Sequence, residues 1–257
     1  MSRVSIIVPS YKAEDWIEQC LQSIYSQDYE QIQLVLIDDP EGTGAGAARN
    51  RGLERAVGEY VCFVDADDYL APGAVSKLVT AIQGVDMAIG SFRKFGNFEQ
   101  IVRHSNAMLS TEQIAAYAMS NLRDTRRHQM LSGCWAKLYR REFIKPFPAI
   151  TTAEDMAFNF DYLSRCSKVR FISDVVYNNR KRAGSLTTTF DASNKPGLFG
   201  FLPALKYVRA FLSQVYAEDE IDEAIDNSKV YHSLLYFMRI CEHEGKPMNE
   251  VFKRLYP

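Results

Sequence analysis

The 257-residue sequence has no excess of charge of one sign, no cysteine pattern and no long apolar run. Each absence closes off a class of protein. With 30 Lys and Arg against 32 Asp and Glu, the net charge is −2, and no basic field calls for a nucleic-acid partner. The five cysteines (Cys20, Cys62, Cys134, Cys166, Cys241) are odd in number, widely spread and without a C-x-x-C pair. That excludes a disulfide framework and a zinc finger, and predicts reduced, mostly buried thiols in a cytoplasmic protein. No stretch approaches the roughly 18 apolar residues of a membrane span. The opening Met1 to Pro9 runs straight into a strand-like segment, without a cleavage site or a signal-peptide core, so no leader is expected. Hydrophobic residues at 47% and charged residues at 24% make an ordinary globular mix, which rules out disorder.

The periodicity predicts alternating strands and helices. Val4 to Val8 is a β-branched run stopped by Pro9, a buried strand. Trp16, Ile17, Cys20, Leu21 and Ile24 repeat at helical spacing, giving an amphipathic helix over 13–26. Leu34 to Ile37 is a second strand, ending in Asp38-Asp39; Gly42 to Ala48 leads into a helix over 45–57. Glu59 to Val64 is a third strand, ending in Asp65-Ala66-Asp67-Asp68, and Pro72 opens a helix over 72–83 before a fourth strand at Val85 to Ile89. Uninterrupted apolar strands alternating with helices describe an α/β, mostly parallel sheet, whose ligands bind at the carboxyl ends of the strands. Both acidic clusters fall there. Further on, Phe92 to Val102 reads as a hairpin, 111–122 and 154–166 as helices, and Phe171-Ile172 and Val175 to Tyr177 as short strands. Arg180 to Ser185 reads as a basic loop, and residues beyond 198 as helices. The only plausible cut is near Pro196-Gly197, leaving a main domain over 1–195 (a nucleotide half over 1–105 and an acceptor half over 106–195) and a helical appendage over 196–257.

Three carboxylates at Asp65, Asp67 and Asp68 repel one another unless solvent or a cation neutralises them. Hard oxygens suit Mg²⁺ or Mn²⁺, which bridge protein carboxylates to substrate phosphates; a solvated turn capping the next helix is the plainer reading. Asp38-Asp39 lies on the same rim, either as a turn starter or as an acceptor for a base N–H. The run Gly42 to Ala48 is tested as a dinucleotide-binding turn, because it follows a strand and opens a helix. Asp38, Asp39 and Glu41 argue against it, since they would crowd a pyrophosphate with negative charge. Glu154-Asp155 opens a helical pattern, as dipole-complementing acids or as a general base. Arg180, Lys181 and Arg182 with Ser185 form either a solvated loop or one that closes over a diphosphate. The four histidines show no ligand spacing.

Together these residues resemble family 2 inverting glycosyltransferases, which have a GT-A fold, a Rossmann-like sheet flanked by helices. The resemblance is carried by Val4-Ser5-Ile6-Ile7-Val8-Pro9-Ser10-Tyr11, Ser23-Ile24-x-x-Gln27, Leu36-Ile37-Asp38-Asp39 and Ala48-Arg49-Asn50-x-Gly52-Leu53. It continues through Phe63-Val64-Asp65-Ala66-Asp67-Asp68 (a D-x-D motif), Trp135-x-Lys137-Leu138-Tyr139-Arg140-Arg141, Glu154-Asp155 and Tyr177-x-x-Arg180-x-Arg182-x-Gly184-Ser185. The matches cover residues 3–190. The resemblance implies that Pro9, Tyr11 and Asp38-Asp39 hold the nucleotide base, with Asp39 facing uracil and Arg49 assisting. It implies Asp65 near ribose and metal, Asp67 on a divalent Mn²⁺ or Mg²⁺, Asp155 as catalytic base and Glu154 as its orienting partner. Arg180, Arg182 and Ser185 would meet the diphosphate. The implied donor is a UDP-sugar and the implied acceptor a glycan or lipid-linked glycan. One departure stands out: the family places a helix and an edge strand between its Asp-Asp pair and Ala-Arg-Asn, whereas here only Pro40 to Ala47 intervene. The base pocket is therefore expected to lose one wall.

Two competing readings remain at this level. An NAD(P)-dependent oxidoreductase would use the glycine run, and a non-catalytic scaffold would have lost its donor pocket. The tail, with Tyr207, Phe211, Tyr216, Tyr231, Tyr236, Phe237 and Phe252, is expected to cover the main core. Pairing of two subunits and contact with the inner face of a membrane are its further candidate roles.

Overall fold

A computed structural model describes residues 1–96, 98–124, 131, 133–181, 201–247 and 249–250, apart from some side chains within the last helix. Strand β1 (Val4–Ser10), whose Val4 to Val8 side chains are all buried, lies one strand in from an edge of the sheet. β1 pairs in parallel with β2 (Ile32–Asp38) and β3 (Tyr60–Phe63). The strand does not stop at Pro9, as the sequence suggested, but continues to Ser10. The Ile7 carbonyl accepts the Val64 N–H at 3.0 Å, so Ile7 and, two residues on, Pro9 turn their backbone polar groups toward β3. The β1–β3 ladder ends at the Ile7–Phe63 pair, and the N–H that proline lacks therefore removes no ladder bond.

The full sheet has the order β2-β1-β3-β8-β5-β9-β4, with β6 beside β5 and β7 beside β9. It is mixed but mostly parallel: β8 (Lys137–Arg140) runs against both β3 and β5 (Met87–Gly96), while β9 (Lys168–Lys181) is parallel to β5. β4 is Tyr69–Leu70, β6 Gln100–Val102 and β7 Ala107–Ser110. The hairpin expected from Phe92 to Val102 forms, with those two residues paired across β5 and β6. The two short strands expected at 171–177 are one long strand, because register shifts near Ser91 absorb the interruption at Ser173-Asp174.

Among the described residues the α-helices are α1 (Ile17–Tyr25), α2 (Ala45–Arg55), α3 (Ala74–Ala81), α4 (Thr111–Arg123), α5 (Glu154–Leu163), α6 (Leu202–Leu212) and α7 (Glu218–Glu244). α1 begins later than its apolar period suggested, after a turn in which the Ala13 carbonyl accepts from Trp16 and Ile17. Gln27 explains the Ser-Ile-x-x-Gln pattern: its amide donates to Ser23 and Ala71 carbonyls and accepts the Val75 N–H, tying α1 to α3. Gly52 lets α2 approach β1, since a Cβ there would lie 2.4 Å from Ile7 Cγ2. Asp39 and Ala48 are joined by a turn in which Gly42 donates to the Asp39 carbonyl at 2.9 Å. Positive φ at Gly42 and Gly44 carries the chain directly into α2.

Phe147 and Phe158 stack with centroids 3.9 Å apart and Phe63 meets both edge-on, forming the aromatic centre beneath the rim. α6 buries Ala204, Leu205, Val208, Phe211 and Leu212, and Phe211 lies 5.7 Å from Phe160 of α5. All five cysteines are free, four of them buried. Among the described residues no helix is long and apolar enough to cross a membrane.

Candidate active site

The carboxyl ends of β1, β2 and β3 bring the acidic clusters to one rim, as the strand pattern predicted. Asp38 is exposed; Asp39 is buried, and its Oδ1 accepts from the Thr43 hydroxyl at 2.8 Å and from Arg51 at 2.6 Å. Burial alone would push the Asp39 carboxyl up, but Thr43 and Arg51 outweigh it and hold it below its usual value. Tyr11 is half-exposed and its ring covers Gly42, where a Cβ would come within 2.9 Å. Pro9, Tyr11 and Asp39 thus line the same edge, around a turn whose positive φ at Gly42 and close Tyr11 ring favour glycine.

The D-x-D segment divides into distinct parts. Asp65 and Asp67 are partly exposed at the rim, whereas Asp68 is 2% exposed and turned inward. Asp68 receives three donors from β9: the Tyr177 hydroxyl and the Asn179 amide at 2.8 Å each, and the Arg180 N–H at 2.6 Å. Burial, with Asp65 and Asp67 nearby, pushes its carboxyl up to about 8, against the pull of those donors. The Tyr177 oxygen in turn accepts the Asp65 N–H at 3.1 Å. Asp68 is therefore the anchor that fixes the loop and leaves Asp65 and Asp67 at its mouth. The sequence did not single out Tyr177 or Asn179 for this role, because they lie more than a hundred residues from the acids they hold.

Arg180 and Lys181 are corrected from a loop to the last residues of β9. The Arg180 guanidinium donates from Nε to the Asp67 carbonyl at 2.9 Å and also to Gln19. It sits 4.4 Å from the Trp16 ring centroid and 4.7 Å from that of Phe95. This is a fixed cation beside Asp67, where a basic loop, solvated or closing over a diphosphate, was expected. Arg182 and Ser185 lie outside the described residues.

Arg49, expected beside the nucleotide base, is drawn to a different set of partners. It is 3% exposed, on the buried face of α2, and donates to Asp155 at 2.6 Å, Asp65 at 2.8 Å and Glu154 at 3.3 Å. Phe147 lies beneath it, 5.4 Å from ring centroid to guanidinium carbon. Burial disfavours its charge, but Asp155 and the other carboxylates hold it firmly protonated. Glu154 and Asp155 occupy the first turn of α5, after Ala153 in a left-handed conformation. Burial raises the Asp155 carboxyl, opposed by Arg49 and by hydrogen bonding from Cys134; burial and Asp155 raise that of Glu154. An acid so placed is a stronger base than an exposed aspartate once ionised.

The glycine run does not make a dinucleotide site. A Cβ on Gly46 would lie 3.2 Å from Glu154 Cγ, so a carboxylate side chain occupies the helix start that a pyrophosphate would need. An open cleft of about 630 Å³ near Lys77, Met108 and Arg170 shares no residue with the rim. Among the described residues no group of three or more His, Cys, Asp or Glu is arranged to hold a metal ion. Two carboxylates with substrate phosphates are nevertheless an ordinary Mg²⁺ or Mn²⁺ set, and Asp65 and Asp67 fit it.

The family model described as "Glycosyl transferase family 2" matches residues 5–43 and 40–146, more than half of the chain. The chain belongs to glycosyl transferase family 2. The two matched pieces meet at residues 40–43, inside the short link between Asp39 and Ala48. Among the relatives of this family 2 chain, glycosyltransferase GlyA of Streptococcus pneumoniae is 27% identical over 220 residues, covering 72% of this chain and 31% of GlyA. The putative glycosyltransferase EpsH of Bacillus subtilis is 23% identical over 285 aligned positions, covering 98% of this chain and 80% of EpsH. The solved structure of Staphylococcus aureus TarS 1–349 with UDP-GlcNAc superposes with a TM-score of 0.68 at 19% identity, covering 88% of this chain and 71% of that one. A mannosyltransferase of Pyrobaculum calidifontis, in complex with GDP-Man and Mn²⁺, gives 0.54 at 15% identity, covering 98% and 79%. These likenesses establish the GT-A-type fold.

Proposed function

We propose that the chain is a metal-dependent inverting glycosyltransferase, moving a sugar from a UDP-linked donor to a glycan or glycolipid acceptor. The observation that supports this reading is the meeting of the partly buried Asp155 with Asp65 across Arg49, a carboxylate suited to act as base beside the donor-side acids. The complexes of TarS with UDP-GlcNAc and of the mannosyltransferase with Mn²⁺ support a nucleotide-sugar donor and a divalent ion.

The chemistry is a single displacement. Asp155 takes the proton of an acceptor hydroxyl as that oxygen bonds to the anomeric carbon. The bond from that carbon to the diphosphate oxygen breaks on the opposite face, so the configuration inverts and the nucleoside diphosphate leaves. Asp67 with Asp65 would hold Mg²⁺ or Mn²⁺, which supplies charge neutralisation for the leaving diphosphate. Arg180 adds a fixed positive charge beside Asp67. Glu154 shares Arg49 with Asp155 and borders the acceptor side. Pro9, Tyr11, Asp38 and Asp39 border the base, with Asp39 presented in a fixed orientation by Thr43 and Arg51. Val230, Leu234 and Met238 leave an exposed apolar face on α7, to which we assign the pairing or membrane-contact role. A monomer in sedimentation that ignores lipid vesicles would remove that role.

The test is release of UDP from a panel of UDP-sugars with Mn²⁺ and candidate acceptors. Asp155→Asn should bind UDP as the wild type does and lose about 10²–10⁴-fold in transfer. Full transfer by that variant would remove Asp155 as the base.

A further inference from the structure

We propose that Arg49 is a positioning residue of the transfer reaction, spanning the donor-side carboxylate and the base and setting their separation. The proposal rests on the reading of Asp155 as the base. Three elements converge on one guanidinium: Arg49 comes from α2, Asp65 from the turn after β3, and Glu154 and Asp155 from α5. The two terminal nitrogens divide the work. One donates to Asp65 at 2.8 Å, while the other donates to Asp155 at 2.6 Å and to Glu154 at 3.3 Å. The distance between base and donor carboxylate is thus set by the width of a rigid, planar fork, which a lysine ammonium cannot reproduce.

The support beneath this fork is also built. Asn50, the next residue in the Ala-Arg-Asn segment, accepts the Phe147 N–H at 2.7 Å and donates to the Phe147 carbonyl at 3.0 Å. Those two bonds hold Phe147, whose ring lies under Arg49 and stacks on Phe158 of α5. Arg49 therefore cannot shift without disturbing the helix that carries Asp155. The side chain joins the two halves of the reaction and is itself nearly closed to solvent, so it acts through Asp155 and not on the nucleotide base.

The test is a double-mutant cycle of Arg49→Lys and Asp155→Asn, with transfer rates and UDP titrations in the presence of Mn²⁺. Arg49→Lys keeps the charge and should lower kcat about 10–100-fold, the range for displacing a reacting group by about an ångström. UDP affinity should stay within about threefold. In the Asp155→Asn background the same change should cost almost nothing, because the base it positions is already gone. Equal losses in both backgrounds would overturn the proposal, as would a tenfold loss of UDP affinity with kcat unchanged, which would return Arg49 to the nucleotide. Full activity of Asp155→Asn alone would instead refute the assignment of the base. Millimolar guanidine should partly restore kcat to Arg49→Ala, and failure of that rescue in a folded variant would count against the proposal.

Discussion

Replacing Tyr177 by Phe isolates the anchor that shapes the acidic loop. The ring is fully buried and stacks on Trp135 with centroids 5.2 Å apart, and phenylalanine preserves that packing. What goes is one oxygen with two bonds, a donation to Asp68 at 2.8 Å and an acceptance from the Asp65 N–H at 3.1 Å. With Asp68 pushed up to about 8 and so mostly neutral at pH 7, the bond it accepts contributes about 0.5–1.5 kcal/mol, and the unsatisfied Asp65 N–H costs about 1–3 kcal/mol. Asp68 keeps the Asn179 and Arg180 donors, so the two losses overlap and a total of about 3 kcal/mol is expected. In a chain of this size that lowers Tm by about 6–12 °C. The assay is urea unfolding followed by tryptophan fluorescence, paired with UDP titration in Mn²⁺. Asp65 would lose its backbone tether, so UDP affinity should fall as well. A variant within about 0.5 kcal/mol of wild type, with unaltered UDP binding, would refute the claim that Asp68 and Tyr177 shape the loop.

Three further outcomes are expected. Gly52→Ala puts a methyl group 2.4 Å from Ile7 Cγ2 and should destabilise by about 1–3 kcal/mol in urea titration. Lys137 is buried, donates to the Gly133 and Trp135 carbonyls, and is pushed down to about 8 by burial. Its folded-state pKa lies below the unfolded value of 10.5, so the unfolded chain binds more protons between those values. The stability of wild type relative to Lys137→Met should therefore rise by about 3 kcal/mol from pH 7 to pH 10.5, and a flat or falling difference would contradict this. Arg180→Ala should weaken UDP about 10–100-fold while leaving uridine unchanged, as titration of both ligands would show.

Much of this architecture was legible in the order of residues. Val4 to Val8, the β5–β6 hairpin and helices α2 and α4 form close to where the sequence pattern placed them, and the structure adds that Ser110 caps α4 with Gln113. The acidic rim followed from where the strands end. What could not be read locally depended on distant partners. Pro9 continues a strand only because its neighbour β3 has already ended. Asp68 looks like its neighbours in sequence, and only the register of β9 shows that it points inward. The resemblance implied that Arg49 assists at the nucleotide base; its ion pairs with Glu154 and Asp155 could not be read locally, because those acids lie over a hundred residues away. Arg180 read as part of a basic loop because its charged neighbours obscure the strand, whereas Trp16 and Phe95 fix it in place.

The measurement that tests the account most directly is calorimetric titration of UDP into the wild-type chain and Asp67→Asn, each with and without Mn²⁺. The account predicts one-to-one binding by the wild type that requires Mn²⁺ and is lost in Asp67→Asn. Binding that needs no divalent ion, binding that survives in Asp67→Asn, or no binding under any condition would contradict it.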